Sequence, residues 1–348
     1  MMSRMVDVAK AAGVSVTTVS HVVNETRHVM PGTRRRVLAA IRELGFYKTA
    51  HARNLATGSS DFLGLIVSDI CNPFFPELIK SFETAALKKG FQLLLCNTDY
   101  EPTRTKAAVR KMIENKARGV AVMTSELPKA LGEELAAHRV AVVFLDVGPV
   151  GKYMANIRVD YSRGIHQAVD HLHSLGHHNF AFVSGPLTLR SAVIRREAFI
   201  DGLHQWGAPS DRIAEGNHKV DGGVRAMKLL LARPPLPTAI LCSNDLTAIG
   251  VLKALAKEGI RVPQDVSVVG FDNIEFSALA HPPLTTVNLS RQHLGKLAFD
   301  ALDNILKSKR LQGAEYLIGT ELIIRRSTSE ARSGTLDLSG HVPISIAV

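Results

Sequence analysis

Polar and aromatic side chains that follow the ends of apolar runs are the residues of this chain best placed to meet a ligand. Asp146 closes one such run, Ser243-Asn244-Asp245 follow another, and Asp272 follows a third. Ser191 and Arg195 lie four apart on a segment of helical period, and Phe74 and Phe75 come just after the first run. Carboxylates and amides set beside an arginine bind hydroxyls in pairs, and aromatic faces stack on sugar or base rings. This chemistry is binding rather than bond breaking. No Gly-x-x-x-x-Gly-Lys-Ser/Thr, His-Glu-x-x-His or Gly-x-Ser-x-Gly occurs. Gly148–Lys152 has neither the spacing nor the hydroxyl of a phosphate loop and reads as a surface turn. His171, His173, His177 and His178 read as helix-end histidines favoured by the dipole, so neither a metal nor a cofactor is expected. Blander readings stand beside these: Arg195 and Asp272 as a structural ion pair, Phe75 as core, Trp206 as core or rim filler.

A second set of hydrogen-bonding residues lies near the start. Val16-Thr17-Thr18-Val19-Ser20-His21-Val22-Val23-Asn24 carries Val19, Val22 and Val23 on one helical face and Thr17, Ser20 and His21 on the other. Groups of that size suit base edges in a DNA major groove. The helix before it, Val6–Ala12, is ended by Gly13 as a C-cap, and Ser15 is an N-cap for the next. A third helix is expected from about Pro31 to Leu44. Two short helices on a tight turn, then a third, make a helix-turn-helix unit; a protein-binding three-helix module has the same pattern.

The period changes after Ser59-Ser60. Strands are expected at Phe62–Ser68, Phe91–Asn97, Gly119–Thr124, Ala141–Asp146, Asn179–Ser184, Thr238–Ser243 and Val266–Phe271, with amphipathic helices between them. Apolar strands linked by helices imply parallel sheets covered on both faces, and seven or more over 270 residues divide best between two doubly wound lobes. After Arg326 periodicity is lost, and 331–348 is expected as a disordered tail.

The chain has 348 residues and a net charge of +10. Nine Lys/Arg against three Asp/Glu stand in the first sixty residues, so more than half of the excess occupies a sixth of the chain. A concentrated basic segment favours a polyanion, since each neutralised phosphate releases counterions. Three widely spaced cysteines suggest free thiols in a reducing cytoplasm, and no signal peptide or membrane span is visible.

The run Val6-Asp7-Val8-Ala9-Lys10-Ala11-Ala12-Gly13-Val14-Ser15-Val16-Thr17-Thr18-Val19-Ser20 resembles the head piece of the LacI/GalR (lactose- and purine-repressor) family of bacterial transcription regulators. Thr33–Ile41, Leu44-Gly45-Phe46, Ile70–Phe75, Ser243-Asn244-Asp245, Val262–Ser267 and Gly270-Phe271-Asp272 extend the resemblance to about residue 330. It implies an all-α helix-turn-helix head (1–48), a hinge (49–60) that is helical on DNA, and a two-lobed α/β core (61–330) like a periplasmic binding protein. Lobe 1 would take about 61–160 and 291–320, lobe 2 about 161–289 and 322–330, with crossings near Asp160, Val287–Ser290 and Gly319–Leu322. The implied protein is a cytoplasmic, nucleoid-associated homodimer binding a palindromic double-stranded operator, controlled by a small effector between the lobes. DNA contacts are then expected from Ser15, Val16, Thr17, Thr18, Ser20 and His21, from Asn24 and Arg27, and from His51, Arg53 and Leu55 in the hinge. Leu55 would wedge between base pairs in the minor groove, although composition alone reads the hinge as a plain linker. Effector contacts are expected from Phe74, Phe75, Asp146, Ser191, Arg195, His218, Asn244 and Asp272. Two departures stand out: Met30 cannot cap the third helix, which is expected to fray there, and Leu189 stands where the purine-binding member has an arginine. The second favours a sugar or sugar derivative. The tail lacks the leucine heptads of the tetrameric member, which favours a dimer. Competing readings are a solute-binding protein without a DNA role, against which the basic head argues, and an α/β enzyme, for which no catalytic set exists.

Overall fold

The computed structural model describes residues 4–46, 60–124, 128–146, 148–209 and 212–333. The chain divides into two units, Met1–Ser60 and Asp61–Val348. His51, Arg53 and Leu55, with nearly all of the expected hinge, lie outside the described residues, as do 334–348 of the expected tail.

The first unit has three helices: α1 (Met5–Ala12), α2 (Val16–Asn24) and α3 (Pro31–Glu43). Gly13 ends α1 at φ 63°, a conformation that costs glycine nothing, and its N–H reaches the carbonyls of Ala9 and Lys10. Ser15 caps α2, its Oγ accepting the Thr18 N–H at 3.1 Å. Val8, Ala9 and Ala12 of α1, Val19 and Val22 of α2, and Val37 and Ala40 of α3 form the small core. Met30 supplies no side-chain cap, yet α3 is helical from Pro31: proline presets φ, and the Met30 carbonyl accepts the Arg34 N–H at 2.9 Å.

The second unit contains two six-stranded sheets. In lobe 1 the order is β11 (Glu315–Gly319), β5 (Met154–Asp160), β4 (Ala141–Leu145), β3 (Gly119–Met123), β1 (Phe62–Val67), β2 (Gln92–Asn97). In lobe 2 it is β12 (Glu321–Ile323), β10 (Thr285–Asn288), β9 (Ser267–Asp272), β8 (Ala239–Cys242), β6 (Phe180–Ser184), β7 (Ile213–Glu215). Each sheet turns back on its own second strand, so each has a switch point where loops at the carboxyl ends of neighbouring strands diverge. The covering helices are α4 (Phe74–Leu87), α5 (Pro102–Glu114), α6 (Lys129–Ala137), α7 (Tyr161–Ser174), α8 (Arg190–His204), α9 (Val220–Leu231), α10 (Asp245–Lys257), α11 (Glu275–Leu279) and α12 (Arg291–Lys307). The chain changes sheets three times: from β5 into α7, from β10 into α12, and from β11 into β12. At Gly295 an added Cβ would stand 2.3 Å from the Leu78 carbonyl oxygen; its absence lets α12 lie close against α4.

The sequence pattern is corrected in three places. Beyond the seven strands that the period places stand β7, which is unexpected, and the crossing strands that the resemblance implied near Asp160 (β5), Val287–Ser290 (β10) and Gly319–Leu322 (β11 and β12), and α12 follows β10. The sheets are parallel except for β12, which runs antiparallel to β10 because it follows directly on β11 of the other sheet. The aperiodic segment after Arg326 is fixed at its start: Ser327 Oγ donates to the Val268 carbonyl at 2.5 Å and the Ala331 N–H reaches the Leu175 carbonyl at 2.8 Å. His177, whose Nε2 lies 3.0 Å from the Ser329 carbonyl, belongs to that strap. Trp206 is a rim residue, stacked on His173 at 3.9 Å with its indole N–H on Asp170.

Candidate functional site

The loop leaving β1 is shaped by its own side chains. Asp69 Oδ1 accepts the Cys71 N–H at 2.9 Å and Asn72 Oδ1 the Phe74 N–H at 3.0 Å, which sets the first turn of α4. Phe74 and Phe75 stand edge to face at 5.3 Å and are both nearly buried. Opposite them, lobe 2 presents Arg195 from α8, Asn244 at the N-cap of α10, and Asp272 at the end of β9. The Arg195 guanidinium lies 4.2 Å from the Phe271 ring centre and 4.8 Å from that of Tyr161; its Nη1 donates to the Ser243 carbonyl at 2.5 Å. Its Nη2 is 3.8 Å from Asp272 Oδ1, so this ion pair is loose and leaves both charges open to a third partner.

The eight residues expected at the effector site are not equivalent. Phe74, Phe75, Ser191, Arg195, His218, Asn244 and Asp272 line one interlobe cleft, joined by Ser68, Asn72, Tyr100, Thr124, Tyr161 and Leu189. Asp146 is not among the residues lining the cleft as it stands here. Its carboxylate accepts the Tyr161 O–H at 2.6 Å and the Val159 N–H at 2.9 Å, so Tyr161 reaches the cleft in its place. Tyr161 follows the β5 crossing directly; aromatic type at that crossing is the signal that would have found it. Asn244 is already engaged, its Oδ1 with the Thr247 N–H and its Nδ2 with the His218 carbonyl, leaving one amide hydrogen and one lone pair.

Burial sets the charges. Asp272 is pushed up to about 6 by desolvation, against the pull of Arg195 and Arg291. His218 is lowered to about 3 by burial and then by Arg195, so its ring is neutral; Nε2 lies 2.9 Å from Ser243 Oγ. An added Cβ at Gly185 would stand 1.9 Å from that nitrogen, so only glycine leaves His218 room. Burial also raises Asp146, and it raises Tyr161 with help from the Asp146 charge. Arg195 Nε and Thr124 Oγ1 are buried without a partner. Such atoms cost about 1–3 kcal/mol each unless something meets them, and both belong to residues lining the cleft.

A polar bridge spans the lobes. Arg291, at the start of α12 in lobe 1, donates from Nε to Glu77 on α4 at 2.7 Å. Its Nη1 donates to the Asp272 carbonyl and, at 2.6 Å, to that of Asn273. Asp272 and Asn273 have φ of 105° and 54°, strained for residues with a Cβ, and buried Asp245 braces the same turn by accepting the Ile274 N–H at 2.8 Å. The cleft encloses about 70 Å³, the share of roughly two or three water molecules, so the lobes must part to admit a ring. Asn72 also lines a wider groove of about 810 Å³, which includes Lys219, Arg225 and Lys253.

On the first unit, Val16, Thr17 and Asn24 are exposed and Thr18, Ser20 and His21 half-buried; Arg27 is exposed beyond the helix. His21 Nδ1 lies 2.8 Å from Thr26 Oγ1, which leaves Nε2 as the outward nitrogen, and Asn24 Nδ2 donates to Ser20 Oγ at 3.0 Å. Ser15 Oγ is taken up by the cap and by Thr18 Oγ1 at 2.9 Å. Among the described residues no group of His, Cys, Asp or Glu is placed to hold a metal, and no helix is long and apolar enough to cross a membrane.

Residues 4–48 match the bacterial regulatory proteins of the lacI family, and residues 169–328 match the periplasmic binding protein-like domain. The HTH-type transcriptional repressor PurR of Pasteurella multocida is 36% identical over 329 residues, covering 94% of this chain and 98% of its own. The chain belongs to the LacI family. It is a DNA-binding transcriptional repressor under effector control, not an enzyme. Among solved structures, the lac repressor dimer bound to operator and the anti-inducer ONPF is 28% identical with a TM-score of 0.83, covering 94% of this chain and all of that one. A complex of the transcriptional regulator CelR with cellobiose is 27% identical with a TM-score of 0.70, covering 93% and 99%.

Proposed function

We propose that this repressor binds a palindromic operator as a homodimer, and that a sugar or sugar derivative held between its lobes controls that binding. The observation that carries the effector class is the composition of the cleft. Asp272, Arg195, Asn244, Ser191 and Ser68 offer hydroxyl-directed hydrogen bonds around the paired Phe74 and Phe75 rings, with two buried polar atoms still unmatched. Leu189, 5% exposed, gives the cleft wall an apolar side chain where a base-binding relative uses a cation. The solved relative holding cellobiose supports the same class.

Thr17, Ser20, His21 and Asn24 read base edges, Arg27, His51 and Arg53 hold phosphates, and Leu55 wedges the operator centre. Two copies pair through the core, with exposed Phe276 (52%) and Leu279 (70%) adding lobe 2 to the face formed by α4. A ligand touching both lobes has different affinity for parted and closed forms, which is how it shifts that equilibrium. Closure changes the spacing of the two hinge segments and hence their pairing on the nucleoid DNA of the cytosol.

Thermal shift with pentoses, hexoses and cellobiose, and with hypoxanthine and guanine as controls, tests the class. A sugar is expected to raise the melting temperature and to alter the mobility shift of an operator selected from random duplexes. A response to the bases alone would overturn the sugar reading.

A further inference from the structure

We propose that the edge of the lobe 1 sheet at which its strands begin is a second DNA-contacting surface, holding backbone phosphates of the duplex that the head reads; this rests on the operator reading above. All six strands of this sheet run parallel, so they start along one edge and end along the other. The chain coming from the head enters the core at Asp61-Phe62, on the starting edge. Backbone hydrogen bonds tie the neighbouring loops to that place. The Gln92 N–H reaches the Asp61 carbonyl at 2.8 Å, the Arg118 N–H the Phe62 carbonyl at 2.9 Å, the Ala141 N–H the Arg118 carbonyl at 3.1 Å, and the Tyr153 N–H the Leu311 carbonyl at 2.7 Å.

These loops carry exposed cations: Lys89 before β2, Arg118 before β3, Arg139 before β4, Lys152 before β5, and Lys309 and Arg310 before β11. The segments 88–91, 115–118, 138–140, 151–153 and 308–314 contain no acidic residue. The opposite edge, which faces the effector cleft, carries Asp69, Asp99, Glu101 and Asp146 after its strands. With Asp61 before β1 and Glu315 opening β11 as its two acids, the starting edge stays net positive against these six cations, while acids follow the strands at the other edge. Arg118 is held over the Phe91 ring at 5.4 Å and Lys152 over the Tyr153 ring at 5.8 Å, which limits their freedom.

Strands about 4.8 Å apart make the edge roughly 24 Å wide. A duplex offers one phosphate charge per about 1.7 Å of axis, so several can be met at once. Residues 47–59, which join the head to Ser60, span at most about 46 Å when fully extended, so DNA bound by the head remains within reach of the edge. These contacts add affinity without sequence preference, because cations on phosphates position but do not specify.

The test uses full-length repressor and the variant Lys89→Gln/Arg139→Gln/Lys309→Gln, with anisotropy on operator and scrambled duplexes across a salt series. Affinity for both duplexes is expected to fall several-fold and in equal proportion. The slope of log K against log salt should become shallower by about 0.9 for each phosphate that is no longer neutralised. The charge-keeping variant Lys89→Arg/Arg139→Lys/Lys309→Arg should retain the wild-type slope, and Lys228→Gln/Arg233→Gln/Lys257→Gln on lobe 2 should leave it unchanged. An unchanged slope in the first variant, as for an edge that serves an acidic protein instead, overturns the inference, as does an equal decrease in the lobe 2 variant. Wild-type protein that binds operator and scrambled duplexes alike overturns the operator reading and this inference with it.

Discussion

Arg195 and Asp272 form a loose pair beside the cleft rather than a tight structural ion pair. At 3.8 Å they attract without a good hydrogen bond, and the carboxylate sits near 6 because burial outweighs the nearby cations. Since the folded value lies above the ordinary 3.8, ionisation opposes folding: stability is expected to fall as pH rises from about 4 to about 6. Thermal melts across that window should show this slope, and Asp272→Asn should flatten it. The ionised carboxylate is also the better acceptor for hydroxyls, so the stabilisation by sugar should weaken as pH drops through 6 in the wild type alone. Arg195→Ala with Asp272→Ala should keep operator binding in a mobility shift but lose the effector response; a normal response would place the effector elsewhere. In the head, His21→Ala should relax base preference by about 1–3 kcal/mol, while Arg53→Ala should weaken all sequences alike. Equal affinities of His21→Ala and wild type for both operator and scrambled DNA would remove His21 from the reading set.

Helices and strands place these residues through their ends. Ser15 and Asn244 both act as N-caps, one fixing the helix that reads DNA and the other the rim of the cleft. Gly13, Ser15 and the valine stripe of α2 are visible in the sequence because capping and helical period are local. The strands β5, β7, β10, β11 and β12 are harder to see. β7, β10 and β12 are only three or four residues long, β11 is mostly exposed, and β5 interleaves Asn156, Arg158 and Asp160 with its apolar residues. The α12 pattern of Leu294, Ala298, Ala301, Leu302 and Ile305 is legible, but nothing local says that it returns to lobe 1. That return puts Arg291 between α4 and the Asp272 turn. Arg291→Met should therefore change the ratio of operator affinities with and without sugar by up to about 1–3 kcal/mol while leaving affinity without sugar near wild type. A ratio equal to the wild type's would show that this bridge carries no coupling.

At the scale of the whole molecule, a repressor reading two half-sites one helical turn apart needs two-fold symmetry. Light scattering at micromolar concentration should give a dimer. A stable tetramer or a monomer would contradict the pairing through the core and the absence of a heptad tail. The small cleft and the wide groove beside it mean that ligand entry requires the lobes to part, so binding and lobe movement are linked.

Read alone, the sequence establishes the head, the α/β character of the core, the family and most of the cleft residues, because capping, period and motif are local and the family motifs are ordered along the chain. Tertiary structure decides what those residues do together. Asp146 is visible as a strand-end carboxylate, but that its oxygen is spent on Tyr161 follows from a crossing between sheets, and sequence spacing does not encode that contact. Likewise Ser327 looks like the start of a tail because its partners, Val268 and Thr285, are 59 and 42 residues away. The basic starting edge of lobe 1 is scattered over more than 200 positions of the chain and becomes one surface only when parallel strands align their ends. Long-range pairing is fixed by burial of both sheet faces, and no short window of residues carries that information.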